Sequence, residues 1–159
     1  MKELTESELW NRATAYCSIA EHCRSEVTDK LRQWGAQEDI LSCIIVRLIE
    51  EKYIDEERYC RAFVKDKYRF SKWGKVKVAQ ALRQKQIPES IYRPPLEDID
   101  EDEYHGILRD LLDAKRRTIH AKNDYEQNVK LMRFALGRGF EMKDIRLCIR
   151  FFDDNDSNY

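Results

Sequence analysis

The chain has 159 residues, of which 37% are charged and 42% hydrophobic, with only five glycines and three prolines. This composition favours helices with narrow apolar seams over an all-β protein, which needs more turn residues. The formal net charge is −1, but residues 61–85 hold nine basic side chains and one acidic one, whereas residues 1–60 and 86–159 are net acidic. Such a local excess of positive charge attracts acidic partners, whether phosphates or carboxylates.

The hydropathy of the chain, its polar start and its cysteine usage predict a protein of the reducing cytoplasm. No apolar run approaches the roughly 20 residues of a membrane span, and the polar start MKELTESELW is unlike a signal peptide. The cysteines number five and form no CxxC pair, which suits thiols that pack as small core residues. We therefore expect cytoplasmic localisation.

Three helices are predicted in the first third of the chain. Thr5 to Glu8 has the spacing of a capping box and opens a helix that extends to about Ala20. Ser25 is the predicted cap of a second helix, and Gly35 is expected to end it in a left-handed conformation. Apolar residues at helical spacing predict a third helix over about residues 37–51.

The same pattern then restarts. Asp55 is the predicted cap of a fourth helix, which residues 71–74 break, and a fifth helix is predicted from about Lys75 to Gln86. The sixth helix is expected to be short, because Pro94 and Pro95 should stop it within two turns.

A third round of helices follows the acidic junction at residues 97–103. A strong apolar stripe begins at Tyr104 and predicts the seventh helix. Asn123 or Asp124 caps the eighth, and a ninth is predicted over about residues 142–152. The tail DDNDSNY reads as frayed and solvated.

The three rounds are repeats of one unit. Ile40, Ile91 and Ile145 open the last helix of each round, at intervals of 51 and 54 residues. Self-similarity at such a spacing indicates stacked repeats, whose neighbours cover each other's apolar seams. We predict an all-α, elongated and curved tandem of three three-helix repeats, each resembling a helix-turn-helix unit. The predicted boundaries are residues 1–53, 54–97 and 98–152, followed by an acidic tail at 153–159.

Three motifs follow one another between Tyr53 and Ile87, namely YIDEERY at 53–59, KWGK at 72–75 and LRQKQI at 82–87. They resemble, in the same order, the start of the second repeat, its glycine turn and its helix end in the RecX family of bacterial regulatory proteins. With the first and third repeats, the resemblance covers roughly residues 10 to 152. The chain departs from the family at Gln86, where glycine is usual, which leaves open how that helix end is wound.

The resemblance implies a function as well as a fold. It implies a monomeric regulator that binds the RecA–DNA filament and inhibits the recombinase, ATPase and coprotease activities of RecA. Such a protein would act in homologous recombination, DNA repair and the SOS response. The resemblance implies neither a cofactor nor catalysis.

The basic stretch is the predicted contact surface for RecA or DNA. Charge runs are usually solvated helix faces, but the imbalance of nine to one favours a binding face here. If about five of its cations met single-stranded phosphates, the log–log salt slope would be about −3.5. The predicted contact residues are Arg61, Lys65, Lys67, Arg69, Lys72, Trp73, Lys75, Lys77, Arg83 and Lys85.

A second basic cluster consists of Lys115, Arg116 and Arg117. Cations near a helix C-terminus are stabilised by the helix dipole, so a structural role explains this cluster. A second contact point on a long partner remains an alternative.

Other residues of the family motif read as structural. Trp73 is either a core residue or a stacking platform, and Gly74 is expected to supply a positive φ before the fifth helix. Asp55 and Arg58 are expected to pair at a helix start and to set the hinge between repeats. The remaining residues of this structural set are Tyr53, Phe63 and Leu82.

Catalytic and metal sites are not predicted. Cys17, His22 and Cys23 lack a fourth ligand and a repeated spacing, and His105 and His120 have no obvious acidic partner. GxSxG, Walker A, GxGxxG and HExxH motifs do not occur.

Two other functions remain open from the sequence. Three-helix units resemble helix-turn-helix domains, so the chain could be a nucleic-acid-binding module that acts without RecA. It could also be a scaffold for an unrelated acidic protein. If RecA is the partner, DNA affinity of the chain alone is expected to be weak.

Overall fold

The computed structural model describes residues 3–149, and within that range the chain is all-helical, without strands. The helices are α1 (Glu6–Ile19), α2 (Arg24–Gln33), α3 (Glu38–Glu50), α4 (Glu56–Arg69), α5 (Lys75–Gln84), α6 (Glu89–Glu97), α7 (Glu101–Arg116), α8 (Asp124–Gly137) and α9 (Met142–Cys148). The all-α prediction is confirmed. The tail at residues 153–159 and the predicted end of the ninth helix lie outside the described residues.

The helices pack in threes. The principal helix contacts lie within three units. Helices α1, α2 and α3 form the first unit, α4, α5 and α6 the second, and α7, α8 and α9 the third. This arrangement confirms the predicted repetition of three-helix domains. Hydrogen bonds and ion pairs described below join the first unit to the second and the second to the third.

The apolar core is divided unevenly among the units. We expected every unit to need its neighbours, and this is so for the second and third, which share one continuous cluster from Tyr59 to Ile149. The first unit instead buries a cluster of its own, from Leu9 to Ile54. Cys23 is the residue through which it joins the shared cluster.

Local capping chemistry sets most helix starts. Thr5 Oγ1 accepts the N–H of Glu8, Asp55 caps α4 and Asn123 caps α8, as predicted. The prediction for Ser25 is wrong, because α2 begins one residue before it at Arg24. Cys23 takes the cap position, with its N–H donating to the Glu26 carboxylate at 3.1 Å.

The sixth helix passes through both of its prolines. Contrary to the prediction, α6 continues past Pro94 and Pro95 to Glu97, and Asp98 N–H donates to the Pro94 carbonyl at 2.9 Å. The helix is only nine residues long, so the missing proline donors remove few of its bonds. Its packing on α4 and α5, with Tyr92 buried, holds it together.

Gln86 ends α5 as a glycine would. Its φ is 63°, in the left-handed region, and the next residue, Ile87, donates its N–H to the Leu82 carbonyl at 3.2 Å. The sequence left the conformation at this helix end open, and the structure shows that α5 is terminated by a residue in the left-handed conformation. A side chain in this conformation costs about 1 kcal/mol or more.

Gly74 is required for close approach rather than for its φ. The predicted positive φ is wrong, since Gly74 has φ −76° and it is Lys72 that is left-handed, at 58°. A Cβ on Gly74 would lie 2.2 Å from the carbonyl carbon of Gly139, and one on Gly139 would lie 2.4 Å from Lys77 Cβ. Two glycines thus let the second and third units touch backbone to backbone.

This contact caps the start of α5 with the end of α8. Gly74 N–H donates to the Arg138 carbonyl at 2.8 Å, and Val76 N–H donates to the Gly139 carbonyl at 3.0 Å. Lys75 N–H donates to the hydroxyl of Tyr104 at 2.9 Å. Donors that a helix start leaves unsatisfied thereby meet acceptors from the next unit, with opposite ends of two helix dipoles together.

The junction of the first and second units is ionic. Arg58 pairs with Glu21 of the first unit and lies 4.0 Å from its predicted partner, Asp55. Lys85 Nζ lies 3.1 Å from Glu26 Oε2. Arg58 therefore does set the connection between repeats, but through a carboxylate that is 37 residues away in the sequence.

The pKa values of two glutamates at this junction are shifted in opposite directions. Burial alone would raise the pKa of Glu26, but hydrogen bonds from Cys23 N–H and the Lys85 ammonium outweigh it and leave the pKa lowered. Burial raises the pKa of Glu56, against the charge of Arg24. One oxygen of Glu56 is buried without a hydrogen-bond partner.

Gly74→Ala should strongly destabilise the chain. Its methyl group would clash with the Gly139 backbone and weaken two hydrogen bonds, so we expect the free energy of unfolding to fall by about 2–4 kcal/mol. Urea denaturation measures this loss. Gly106→Ala is the control, because a Cβ there meets nothing within 4 Å and a helix interior favours alanine by about 0.5–1 kcal/mol. Equal stability of the two variants would contradict the role of the backbone contact.

Glu26→Gln should destabilise the chain at neutral pH only. A carboxylate with a lowered pKa contributes stability above its ordinary value of 4.5, and that contribution is lost as the pH falls through the lowered pKa. We expect the free energy of unfolding to fall by about 1 kcal/mol at pH 7, with the difference shrinking once the pH falls below 4.5. Urea titrations across this range measure it.

Glu56→Gln is the matched control for Glu26→Gln, with the same chemical change at the same junction. Because the pKa of Glu56 is raised, its ionised form opposes folding, and we expect this variant to be at least as stable as the parent chain at pH 7. The gain should disappear as the pH falls below 4.5. A loss of stability from both variants at pH 7 would contradict this assignment.

Candidate functional site

Three of the predicted contact cations are engaged within the molecule. Arg69 Nε lies 2.6 Å from Glu103, and Lys75 Nζ lies 2.7 Å from Glu101. Lys85 reaches Glu26, as described above. The hydrogen bond from Arg69 lowers the pKa of Glu103, and that from Lys75 lowers the pKa of Glu101. In the sequence only Asp66 opposed these cations, whereas the folded chain brings carboxylates from both neighbouring units.

Three exposed cations on and after α4 have no carboxylate partner within residues 3–149. Arg61 and Lys65 are four residues apart on one face of the helix, both exposed. Lys72, in the turn that follows, is exposed as well. None of these three cations forms an ion pair with a carboxylate among residues 3–149. We call Arg61 and Lys65 the α4 surface.

Phe70 is an exposed aromatic residue that the sequence did not identify. It caps the C-terminal end of α4, on the side of the helix opposite Arg61, and 79% of its surface is exposed. An exposed aromatic ring suits contact with nucleobases or with an apolar pocket of a partner. Its place at the helix end, after the buried Tyr68, was the available signal.

A second group of cations surrounds Trp73. Lys67 Nζ lies 4.9 Å and Lys77 Nζ 4.6 Å from the centre of the indole ring. Trp73 is half-buried and packs against the shared core, whereas its role as a stacking platform stays a prediction. At 100° per residue, Lys67 faces away from the Arg61–Lys65 stripe, so the predicted contact residues occupy more than one face.

Arg83 stands apart from both groups. Its side chain is exposed, and Nη1 lies 3.4 Å from the Tyr92 hydroxyl. Six residues of helix separate it from Lys77, which directs the two side chains to different sides of α5.

The second basic cluster lies at the end of α7, where the helix dipole favours it. Arg116 pairs with Asp113 at 2.7 Å, and Arg117 is exposed. Lys115 Nζ lies 4.9 Å from the ring centre of Phe134, and Arg138 lies 5.7 Å from the same ring. Arg138 was not identified from the sequence, because it is 21 residues from the nearest member of this cluster.

His105 has the acidic partners that the sequence did not reveal. Nε2 donates to Asp144 Oδ1 at 2.8 Å and lies 3.6 Å from Glu101 Oε2. Ligand atoms of these three residues lie within 4.8 Å of one another, which approaches the geometry of a metal site. Glu101 is already bound by the Lys75 ammonium, so an ion pair that fixes α7 to α9 explains the arrangement.

The cysteines near the start of α2 serve packing. The His22 ring stacks on Tyr16, with 3.7 Å between ring centres, and Cys23 Sγ lies 3.2 Å from Ser25 Oγ. Burial raises the pKa of the Cys17 and Cys23 thiols, which keeps them protonated and poor metal ligands.

Membrane insertion finds no support in the described helices. Across residues 3–149, every helix is too short or too polar to span a bilayer.

Comparison with known proteins identifies the repeats. Residues 55–93 match the family model described as the second three-helix domain of RecX, and residues 101–149 match that of the third. The first range contains α4, α5 and the first half of α6, and the second contains all of α7, α8 and α9, so the matches coincide with the helices that share one core.

Curated relatives carry the name regulatory protein RecX. The one from Prosthecochloris aestuarii is 30% identical over 137 residues, which cover 86% of this chain and 87% of the relative. That from Chlorobaculum tepidum is 26% identical over 94% of this chain and 91% of its own length. For the protein of Clostridium perfringens strain 13, the values are 28%, 82% and 62%.

Solved structures agree with this assignment. RecX from Lactobacillus salivarius superposes with a TM-score of 0.80 at 26% identity, covering 93% of this chain and 96% of that one. A second structure, titled as regulatory protein RecX, has a TM-score of 0.83 at 20% identity over 90% and 72% of the two chains, which shows the shared fold. With its tandem three-helix units matched in order and its length largely covered by such relatives, this chain belongs to the RecX family of regulatory proteins.

Proposed function

We propose that this chain regulates RecA by binding the RecA–DNA filament and lowering its recombinase, ATPase and coprotease activities. The observation that carries the proposal is family membership, since the relatives are named regulatory proteins and two RecX domains match in tandem. In this proposal the chain acts as a monomer in the cytoplasm, through binding and without catalysis of its own.

The construction of the fold supports a restraining role. The backbone contact between Gly74 and Gly139 and the continuous core make the second and third units one body. A stiff tandem of this kind, laid along a filament, would bridge neighbouring RecA subunits. Bridged subunits resist the relative movement that ATP hydrolysis and strand exchange require, which would lower both rates.

The α4 surface is the contact that we propose for the filament. Arg61 and Lys65 are exposed on one face of α4 and form no ion pair within residues 3–149. Arg69, Lys75 and Lys85 are better explained as internal ion-pair partners. Exposed cations speed association with acidic surfaces.

Arg61→Gln/Lys65→Gln should weaken inhibition of RecA. Removing two exposed cations reduces attraction to an acidic filament, and we expect about tenfold more protein to be needed for half-inhibition, equivalent to about 1.4 kcal/mol. The measurement is the rate of ATP hydrolysis and of strand exchange by RecA on single-stranded DNA. Arg12→Gln/Arg93→Gln is the control, with the same loss of charge at exposed positions outside the α4 surface, and should inhibit like the parent chain.

Two results would contradict this proposal. Unchanged hydrolysis and strand exchange at saturating parent protein would exclude regulation of RecA. Binding to DNA without any binding to RecA at high salt would favour the alternative, a nucleic-acid-binding module that acts alone.

A further inference from the structure

We infer that the junction between the second and third units binds the phosphodiester backbone of a nucleic-acid strand, through Lys77 and Arg138. This site lies at the end of α8 and the start of α5. It is distinct from the α4 surface, because Lys67, which shares Trp73 with Lys77, faces away from that stripe.

Two groups of cations meet at Gly139. Lys67 and Lys77 lie over Trp73 on one side of the junction. On the other side, Lys115 and Arg138 lie over Phe134. Gly139 joins the groups, because it follows Arg138 directly and its Cα faces Lys77 Cβ closely enough that an added Cβ would lie 2.4 Å away.

Arg138 carries a charge that the described part of the chain does not neutralise. It forms no ion pair within residues 3–149, and the residue is only partly buried. Its Nε is buried without a hydrogen-bond partner, so it is the rest of the guanidinium that an anion from outside can reach.

The junction between the second and third units carries an excess of positive charge. Two ammonium groups share the Trp73 ring, and the only described carboxylate within 4.0 Å of either is that of Asp66, 3.8 Å from Lys67 and itself exposed. Lys77 has none. Like charges held close to one ring repel each other, and an anion placed between the two units would relieve that repulsion.

The chemistry of the group favours phosphate over carboxylate. The planar guanidinium of Arg138 matches two phosphate oxygens at once, while lysines act as point charges on successive phosphates. Cations that alternate with aromatic rings are typical of grooves that follow a single strand. A protein carboxylate would satisfy one side of the junction, whereas a strand crosses both.

This inference rests on the proposed function in one respect, because a filament assembled on DNA is what would present the strand. Binding to the strand can nevertheless be measured without RecA. The two ideas therefore fail separately.

Lys77→Gln/Arg138→Gln should reduce binding to fluorescein-labelled oligothymidylate, measured by fluorescence anisotropy at a series of salt concentrations. Each phosphate contact to a single strand contributes about 0.7 to the log–log salt slope, so we expect the slope to become shallower by about 1.4. Affinity near 0.1 M salt should fall about tenfold. Arg12→Gln/Arg93→Gln, with the same change in charge, should keep the slope of the parent chain.

A charge-preserving variant guards against a folding defect. Lys77→Arg/Arg138→Lys keeps two cations at the junction, and its salt slope should equal that of the parent chain. The circular dichroism of all variants is compared. An unchanged slope for Lys77→Gln/Arg138→Gln overturns the inference. So does equal displacement of the oligonucleotide by polyglutamate of the same total charge, because the site would then recognise charge alone.

Inhibition of RecA, measured in parallel, separates this inference from the proposed function. If the parent chain leaves RecA unaffected but its oligothymidylate binding depends on Lys77 and Arg138, the proposed function fails and the junction site stands. If the parent chain inhibits RecA and the double variant binds the oligonucleotide as the parent does, the regulatory role stands and the junction site is overturned.

Discussion

The contact between the first residues of α5 and the turn after α8 organises the larger part of this molecule. Backbone donors of Gly74 and Val76 meet backbone acceptors of Arg138 and Gly139, and the two glycines leave no room for a side chain between them. Backbone hydrogen bonds between units need a closer approach than side-chain contacts do. Consequently the second and third units share one core, and their relative orientation is fixed at the level of the main chain.

The first unit is attached mainly by ion pairs between side chains. It has its own apolar cluster, contributes Cys23 to the shared one, and is joined to the second unit by the ion pairs of Arg58 with Glu21 and of Lys85 with Glu26. Ion pairs between partly exposed side chains are weaker than a shared core and are screened by salt. The chain therefore combines one rigid two-unit body with a first unit whose attachment responds to pH and ionic strength.

The basic stretch has two tasks that its sequence does not separate. Some of its cations hold the units together, since Arg69 and Lys75 bind carboxylates at the start of α7. Others keep their charge, as Arg61 and Lys65 do on the α4 surface. In the proposed function, the segment between residues 61 and 85 thus serves both cohesion and recognition. The effect of a substitution in this segment on binding can be interpreted only once it is known whether the replaced cation pairs with a carboxylate within the molecule.

Sequence alone determined the helices, their repetition and the family, because caps such as Thr5 and Asp55 and the apolar spacing act within a few residues. It did not determine the role of Gly74, the passage of α6 through Pro94, or the partner of His105. Each of these depends on atoms from another unit or another helix. Only the tertiary structure decided which cations are neutralised and that Arg138 lies beside Lys77, since electrostatic pairing and close packing are set by distance in space, whereas a sequence records distance along the chain.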